Sequence, residues 1–258
     1  MRNSYKYIYG PVPSWRLGNS LGVDLISRED KVCTFDCVYC QIGPTRVANE
    51  EREVFVPTKL VLDEIKSLPD LKIDYITFSG RGEPTLARNL GETIREIKKI
   101  RQEKIAVITN SSLMGRKDVK EDLALADMVM AKLDACCEVP FLRINKAAEG
   151  ITFDKTLKGI KEFKSGYKGR LALQIMFIED NKKCAGEIAR LAKEIDPEEV
   201  QINTPLRPCG AEALSVEDIN KIKESFRDMN VISVYDAEKR KAKSINKEDT
   251  LRRRGSHD

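Results

Sequence analysis

The sequence has almost no histidine: of its 258 residues only His257 is one. That excludes a Ser-His-Asp triad, a Cys-His dyad and the His-rich zinc and non-haem iron sites. Metal chemistry would have to run through thiolates or carboxylates. No apolar run approaches the roughly 20 residues that span a bilayer, so no membrane partner is expected. Residues 1–6 lack the apolar stretch of a secretory signal, and a cytoplasmic location follows as an expectation. Net charge is also scarce, only +4, and is no footprint of nucleic-acid binding by itself. Within 236–258, eight Lys or Arg stand against five Asp or Glu. The run Arg252-Arg253-Arg254 reads either as a polyanion contact or as a frayed, solvated tail. Low-complexity segments and sequence repeats are missing too.

What the chain does have is cysteine. There are seven, an odd number with no export signal, so a disulfide framework is not expected and metal or redox chemistry is. Hydrophobic residues make up 41 %, enough for a sizeable core, and a third of the residues are charged. Apolar, β-branched runs alternate with amphipathic ones. Strands are expected at 22–26, 73–79, 105–109, 128–133, 171–178 and 200–203, with a last edge strand at 231–235. Helices are expected at 58–67, 90–101, 118–126, 152–164 and 185–195, and from Ser215, whose followers Glu217 and Asp218 suit a first turn. This order implies βαβ units and a parallel sheet. Six units in this length make a partial (βα)6 TIM-like barrel, short of the eight-unit form. The expected layout is an N-terminal extension over 1–18, the barrel over 19–210, and a helix, strand and basic tail over 211–258. In such sheets the loops at the carboxyl ends of the strands carry the site.

The first such loop holds Cys33, Cys37 and Cys40, spaced C-x3-C-x2-C. Three thiolates this close face one point when the loop wraps a metal centre. A [4Fe–4S] cluster normally takes four cysteines. With three, one iron is left for a small ligand, the counterpart of an open catalytic metal position. The plainer readings are reduced core cysteines or a structural zinc site, which would want a fourth ligand. Forty residues on, after the next strand, comes Ser79-Gly80-Arg81-Gly82-Glu83-Pro84. Glycines let backbone approach a ligand closely, and Glu83 offers a carboxylate to an amino group. By itself this run is also compatible with a tight turn. Asn110 and Ser111 end the next strand and Asp134 the one after; the plainer roles there are a turn residue and a helix cap. Gln174 and Asn203 are weaker candidates on later strands.

The cysteine spacing, with Tyr39 directly before the last cysteine, resembles the radical S-adenosylmethionine (SAM) superfamily. The clade is marked by Tyr9-Gly10-Pro11-Val12-Pro13-Ser14, Arg16-Leu17-Gly18, Ser20-Leu21-Gly22-Val23-Asp24, Gln41, the 79–86 motif, Thr109-Asn110-Ser111-Ser112-Leu113 and Lys132-Leu133-Asp134-Ala135. It is similar to the enzymes that build the tricyclic wyosine base in tRNA and related to cofactor-assembly radical SAM proteins. The resemblance covers about three quarters of the chain. It implies a [4Fe–4S] cluster on Cys33, Cys37 and Cys40, and SAM bound by Tyr39, Gly80, Gly82, Glu83, Pro84, Asn110, Ser111 and Asp134. Reductive cleavage of SAM would then give a 5′-deoxyadenosyl radical for hydrogen abstraction. It also implies an electron donor such as ferredoxin or flavodoxin. The substrate is expected to be tRNA or another RNA, with Arg143, Lys146 and Lys168 available to phosphates, or else a protein, peptide or cofactor precursor. A non-enzymatic iron–sulfur or zinc protein is the third reading. Trp15 departs from the clade, standing where a basic residue is expected. Cys136, Cys137, Cys184 and Cys209, all just beyond strand ends, are candidates for a second cluster or another metal; the adjacent Cys136-Cys137 pair also reads as a redox dithiol.

Overall fold

Successive side chains of a strand face opposite sides of a sheet, and here that alternation builds two cores of unequal size. The computed structural model describes residues 5–48, 51–236 and 244–254, apart from the side chains of Asp249 and Arg254. His257 lies outside the described residues. Strands β1 (Ile8–Ser14) and β2 (Gly18–Val23) form a hairpin, followed by a short pair, β3 (Val32–Cys33) and β4 (Val47–Ala48). Then come α1 (Thr58–Lys66), β5 (Tyr75–Phe78), α2 (Leu90–Ile100), β6 (Lys104–Thr109), α3 (Lys117–Leu123) and β7 (Met128–Lys132). Helices α4 (Glu138–Asn145) and α5 (Phe153–Gly166) precede β8 (Arg170–Met176), α6 (Ala185–Ile195) and β9 (Glu199–Asn203). The order closes with α7 (Val216–Glu224), β10 (Val231–Ser233) and α8 (Lys247–Arg254).

The main sheet has eight strands in the order β1-β2-β5-β6-β7-β8-β9-β10. Only β1 and β2 pair antiparallel; every other neighbouring pair is parallel. The sheet curls into a half-barrel, the expected partial α/β barrel. Its convex face carries Leu21, Ile76, Phe78, Val107, Val129, Leu173, Val200 and Ile202 into one large core with the helices. Helix α2 shows how the sequence directs this: Leu90, Ile94 and Ile97 fall on one face and are fully buried. Glu92 in its first turn and Lys98 and Lys99 in its last suit the helix dipole. The concave face holds a much smaller cluster of Leu17, Ala106, Met128, Met130 and Ala172.

The expected strands and helices from α1 to β10 are present with small shifts at their ends. Five elements were not expected from the sequence, the two-residue strands β3 and β4 among them. Strand β1 contains Pro11 and Pro13, which argue against a central strand, but it lies at the sheet edge, where proline is tolerated. With β1 beside it, β2 begins at Gly18, four residues before its expected start, and ends ahead of Asp24. Helix α4 is short and contains Pro140 near its start. Helix α8 lies against β1: Thr250 Oγ1 accepts from Gly10 N–H at 3.2 Å and Ile245 N–H donates to Gly10 O at 2.5 Å. A covered edge cannot template pairing with another chain.

Candidate functional site

The cysteine loop and the glycine motif are parts of one backbone structure. Val32 pairs with Gly82 in a β-bridge. Val32 N–H donates to Arg81 O at 3.3 Å and Glu83 N–H to Val32 O at 3.1 Å. A Cβ on Gly82 would lie 1.9 Å from Val32 O, so only glycine fits at this crossing. Gly80 has φ +148°, and a Cβ there would meet the buried Asp24 carboxylate at 2.3 Å. Each glycine of the motif therefore answers to a specific neighbour.

Glu83 is buried and ties the motif to the end of β6. Its Oε1 accepts from Thr85 N–H at 3.1 Å, Thr85 Oγ1 at 2.7 Å and Thr109 Oγ1 at 2.7 Å. Its Oε2 accepts from Asn110 N–H at 2.7 Å. A carboxylate offers about four acceptor positions, and these four donors, three of them on Oε1, take up most of its capacity. Burial raises the Glu83 carboxyl above its ordinary value, against the pull of these donors. Asn110 reaches back to the cysteine loop, donating from Nδ2 to Thr34 Oγ1 at 2.7 Å and to Cys33 Sγ at 3.5 Å. Ser111 takes a left-handed conformation, φ 72°, at a cost of about 1–2 kcal/mol. Its hydroxyl donates to Lys132 O at 3.0 Å.

A second layer surrounds Asp134, whose side chain is fully enclosed. Oδ1 accepts from Met176 N–H at 2.7 Å. Oδ2 accepts from the Tyr39 hydroxyl and from Asn145 Nδ2 at 3.0 Å. Lys132 Nζ stands 3.8 Å from Oδ2 and 4.6 Å from the centre of the Tyr39 ring. Asn145 also donates to the Tyr39 oxygen at 3.2 Å and to Cys37 Sγ at 3.6 Å. Burial, then the Asp134 charge, pushes the Tyr39 phenol well above its usual value, so it stays a donor. Nothing in the sequence around Asn145 marked it, since its partners lie on other elements.

The three thiols are gathered by the same framework. Burial pushes Cys33 up to about 12, with Glu83 and Cys37 adding to the effect, and burial also raises Cys37. Lys31 reports on all three. Burial alone would lower its ammonium, but Cys40, Cys33 and Cys37 outweigh that and hold it above its ordinary value. Its Nζ donates to Gly43 O at 3.1 Å. Among the described residues, no three Cys, His, Asp or Glu side chains sit closely enough to hold a single metal ion. A cubane cluster is wider than one ion and takes thiolates, and a set of three on one loop suits it better than a four-ligand zinc site.

Above this lies a cavity of about 430 Å³ in the concave face. Cys40, Tyr39, Ser79 and Gly80 border it, together with Trp15 and Gln174. Asn203 lines it as well. Four cationic side chains, Arg16, Lys132, Arg207 and Arg253, line it, and no Asp or Glu among the described residues does. A larger, shallow depression of about 700 Å³ lies around Tyr75 and Lys104, at the amino ends of β5 and β6, away from the cysteines.

The sequence profile of the radical SAM superfamily matches residues 31–192, more than half of the chain and the whole stretch from Lys31 to the last turn of α6. The chain belongs to the radical SAM superfamily. A relative from Synechocystis sp., the UPF0026 protein slr1464, is 39 % identical over 209 residues, covering 81 % of this chain and 78 % of its own. Among solved structures, archaeal TYW1 superposes with TM-score 0.59 at 15 % identity, over 82 % of this chain and 72 % of that one. SuiB of Streptococcus suis bound to its precursor peptide SuiA gives 0.61 at 16 %, over 82 % of this chain and 48 % of that one. These two likenesses show a shared fold. Membership makes the protein a radical SAM enzyme, and the family implies SAM and a [4Fe–4S] cluster. No described helix is long and apolar enough to cross a membrane.

In this radical SAM enzyme the remaining cysteines divide. Cys136 interacts with both Cys137 and Cys184, and Cys184 occupies the N-cap position of α6 without a side-chain capping bond. Burial, then Cys184, pushes Cys136 up to about 12. Asn181 holds their loops together, donating to Asp134 O at 2.8 Å and accepting from Cys184 N–H through its own carbonyl at 2.9 Å. Cys209 packs instead beside Val38 and Tyr39 of the cysteine loop, its thiol donating to Ala211 O at 3.2 Å. The basic residues divide likewise. Arg143 is engaged by Asp180, and Lys146 caps α4 at the mouth of the barrel. Lys168 lies between α5 and β8, at the opposite end. Arg253 is neither frayed nor solvated: it is buried on Asp24.

Proposed function

We propose that Cys33, Cys37 and Cys40 bind an open-site [4Fe–4S] cluster and that the adjoining cavity binds SAM and an anionic substrate, with modification of an RNA base as the favoured reaction. The observation that carries this is the Val32–Gly82 crossing, which locks the cysteine loop to the glycine motif at the rim of the cavity. Held by Cys33, Cys37 and Cys40 and by the adjoining turn, a cluster and SAM would supply radical chemistry for hydrogen abstraction from a substrate. The chain itself binds, orients and excludes water. Gly80, Gly82 and Pro84 shape the motif turn. Glu83 puts a negative charge beneath it, on the side from which an ammonium group would be attracted. Asn110 and Ser111 fix the end of β6 against the cysteine loop. Asp134 acts from behind, holding Tyr39 and Lys132 at the cavity wall.

Two of the four cations answer buried carboxylates, Lys132 on Asp134 and Arg253 on Asp24; the excess of basic over acidic side chains on the wall still supports a phosphate-bearing substrate, because positive charge on a concave wall concentrates anions. That agrees with the TYW1 likeness and favours RNA over the peptide that SuiB holds. An acidic one-electron donor of the ferredoxin or flavodoxin kind suits the reaction. The test is anaerobic: reconstitute, reduce with dithionite, add SAM and measure 5′-deoxyadenosine. Wild type should form it, and the Cys33/Cys37/Cys40→Ala variant should not. Equal product from both would overturn the cluster assignment. Affinity for unmodified tRNA should fall steeply with salt; no binding at low salt would remove the RNA reading.

A further inference from the structure

Helix α8 lies at the far end of the chain from the glycine motif, yet it reaches the motif through one side chain. Arg253 is buried, and its Nε donates to Asp24 Oδ2 at 3.0 Å. Its Nη2 donates to Ser27 Oγ at 2.9 Å and to Lys6 O. Asp24 is the residue over which the motif turns. Its Oδ2 also accepts from Arg81 N–H at 3.3 Å, and its carboxylate occupies the space a side chain on Gly80 would take. Asp24 is held from below as well, with Oδ1 accepting from Ser27 N–H at 2.9 Å and Ile26 N–H at 3.2 Å. Arg253 also stands 5.7 Å over the ring of Tyr9. Tyr9 lies flat on Gly22 and shares a 2.7 Å hydrogen bond with Ser79.

We infer that Arg253 is a positioning residue for the SAM-binding turn, acting through Asp24 and Tyr9, so that α8 completes the cofactor site. This rests on the reading that the 79–84 turn binds SAM. The physical reason is the shape of the contact. A guanidinium fork takes three acceptors from two separate segments at once, Asp24 and Ser27 of one turn and Lys6 ahead of β1, which a lysine ammonium on a single stem does not reproduce. Buried and hydrogen-bonded through both carboxylate oxygens, Asp24 is held in place, and Gly80 and Arg81 pack against it. Without Arg253, Asp24 is an uncompensated buried charge that must move toward water.

The test compares wild type, Arg253→Lys, Arg253→Ala and the double variant Asp24→Asn/Arg253→Met. The double variant removes the ion pair without stranding a charge, so that a fold is kept. SAM affinity is measured by equilibrium dialysis on anaerobically reconstituted protein, iron is counted, and hydrogen exchange is followed across 79–86 in metal-free protein. Expected are full iron loading in the double variant, SAM affinity at least tenfold weaker, and faster exchange across 79–86. Arg253→Lys should fall between wild type and Arg253→Ala. Wild-type SAM affinity and unchanged exchange in the double variant would overturn the inference and leave Arg253 a staple for α8. Should wild type itself fail to bind SAM, the cofactor reading falls, and exchange across 79–86 still decides whether Arg253 orders the turn.

Discussion

Gly82 is the narrowest point between the cysteine loop and the motif, and Gly82→Ala measures what that crossing contributes. The added Cβ would lie 1.9 Å from Val32 O, and even 3.0 Å requires the carbonyl to withdraw by about 1 Å. The obstacle is backbone inside a β-bridge, so no rotamer change relieves it. Overpacking of this kind costs about 1–3 kcal/mol. The two hydrogen bonds that cross at Val32 contribute about 1 kcal/mol each and weaken with the shift. A total of about 3 kcal/mol lowers Tm by about 6–12 °C in a chain of this size. Val32 directly precedes Cys33, so iron loading should fall as well. The assays are thermal unfolding of metal-free protein and iron per chain after reconstitution. Gly186→Ala is the control: its Cβ meets nothing within 4 Å, and it lies in α6, where alanine gains up to about 1 kcal/mol. A Gly82→Ala protein that unfolds within about 2 °C of wild type and loads full iron would refute the reasoning.

Asp134→Ala strands the Tyr39 hydroxyl and Met176 N–H and removes one of the Asn145 amide's acceptors, so a loss of about 3–5 kcal/mol is expected by denaturant unfolding; Asp134→Asn should lose clearly less. Alkylation of metal-free protein at pH 8 should label the exposed Cys137 first and Cys33 last. A thiol near pKa 12 is ionised to about one part in ten thousand at that pH, and mass spectrometry of timed samples gives the order. Replacing Cys136, Cys137, Cys184 and Cys209 together by serine should leave iron near four per chain, about one cluster's worth, because the structure separates Cys209 from the other three. A drop in iron would show that these cysteines do hold a metal.

The parallel sheet was legible because most of its strands are short, largely apolar runs and its helices amphipathic. The cysteine loop and the 79–84 motif stand out in the sequence because each gathers its marker residues into eight positions or fewer, and the structure joins the two at the Val32–Gly82 bridge. Strand β1 was not legible, since its prolines fit only an edge, and the edge is a property of the whole sheet. Asn145 and Arg253 were not, because each acts on residues more than a hundred positions away. Arg253 in particular sits in a run whose composition reads as solvated, and its burial depends on the buried Asp24 carboxylate, which accepts from its guanidinium. Glu83 was read as a ligand for an ammonium group; most of its capacity proves to serve Thr85, Thr109 and Asn110, hydrogen bonds that no spacing rule announces.

The two cores set apart by the sheet have different freedoms. The large convex core holds the helices and carries most of the apolar burial, so substitutions there endanger the fold. The concave cluster is five residues, two of them alanine and two methionine, lying beneath the cavity. Methionine adapts to a changed neighbour, and alanine leaves room to grow. The floor of the cavity can therefore be recut, residue by residue, while the scaffold and the cysteine loop stay as they are. A lineage built on this plan can exchange one substrate for another without first solving the folding problem again.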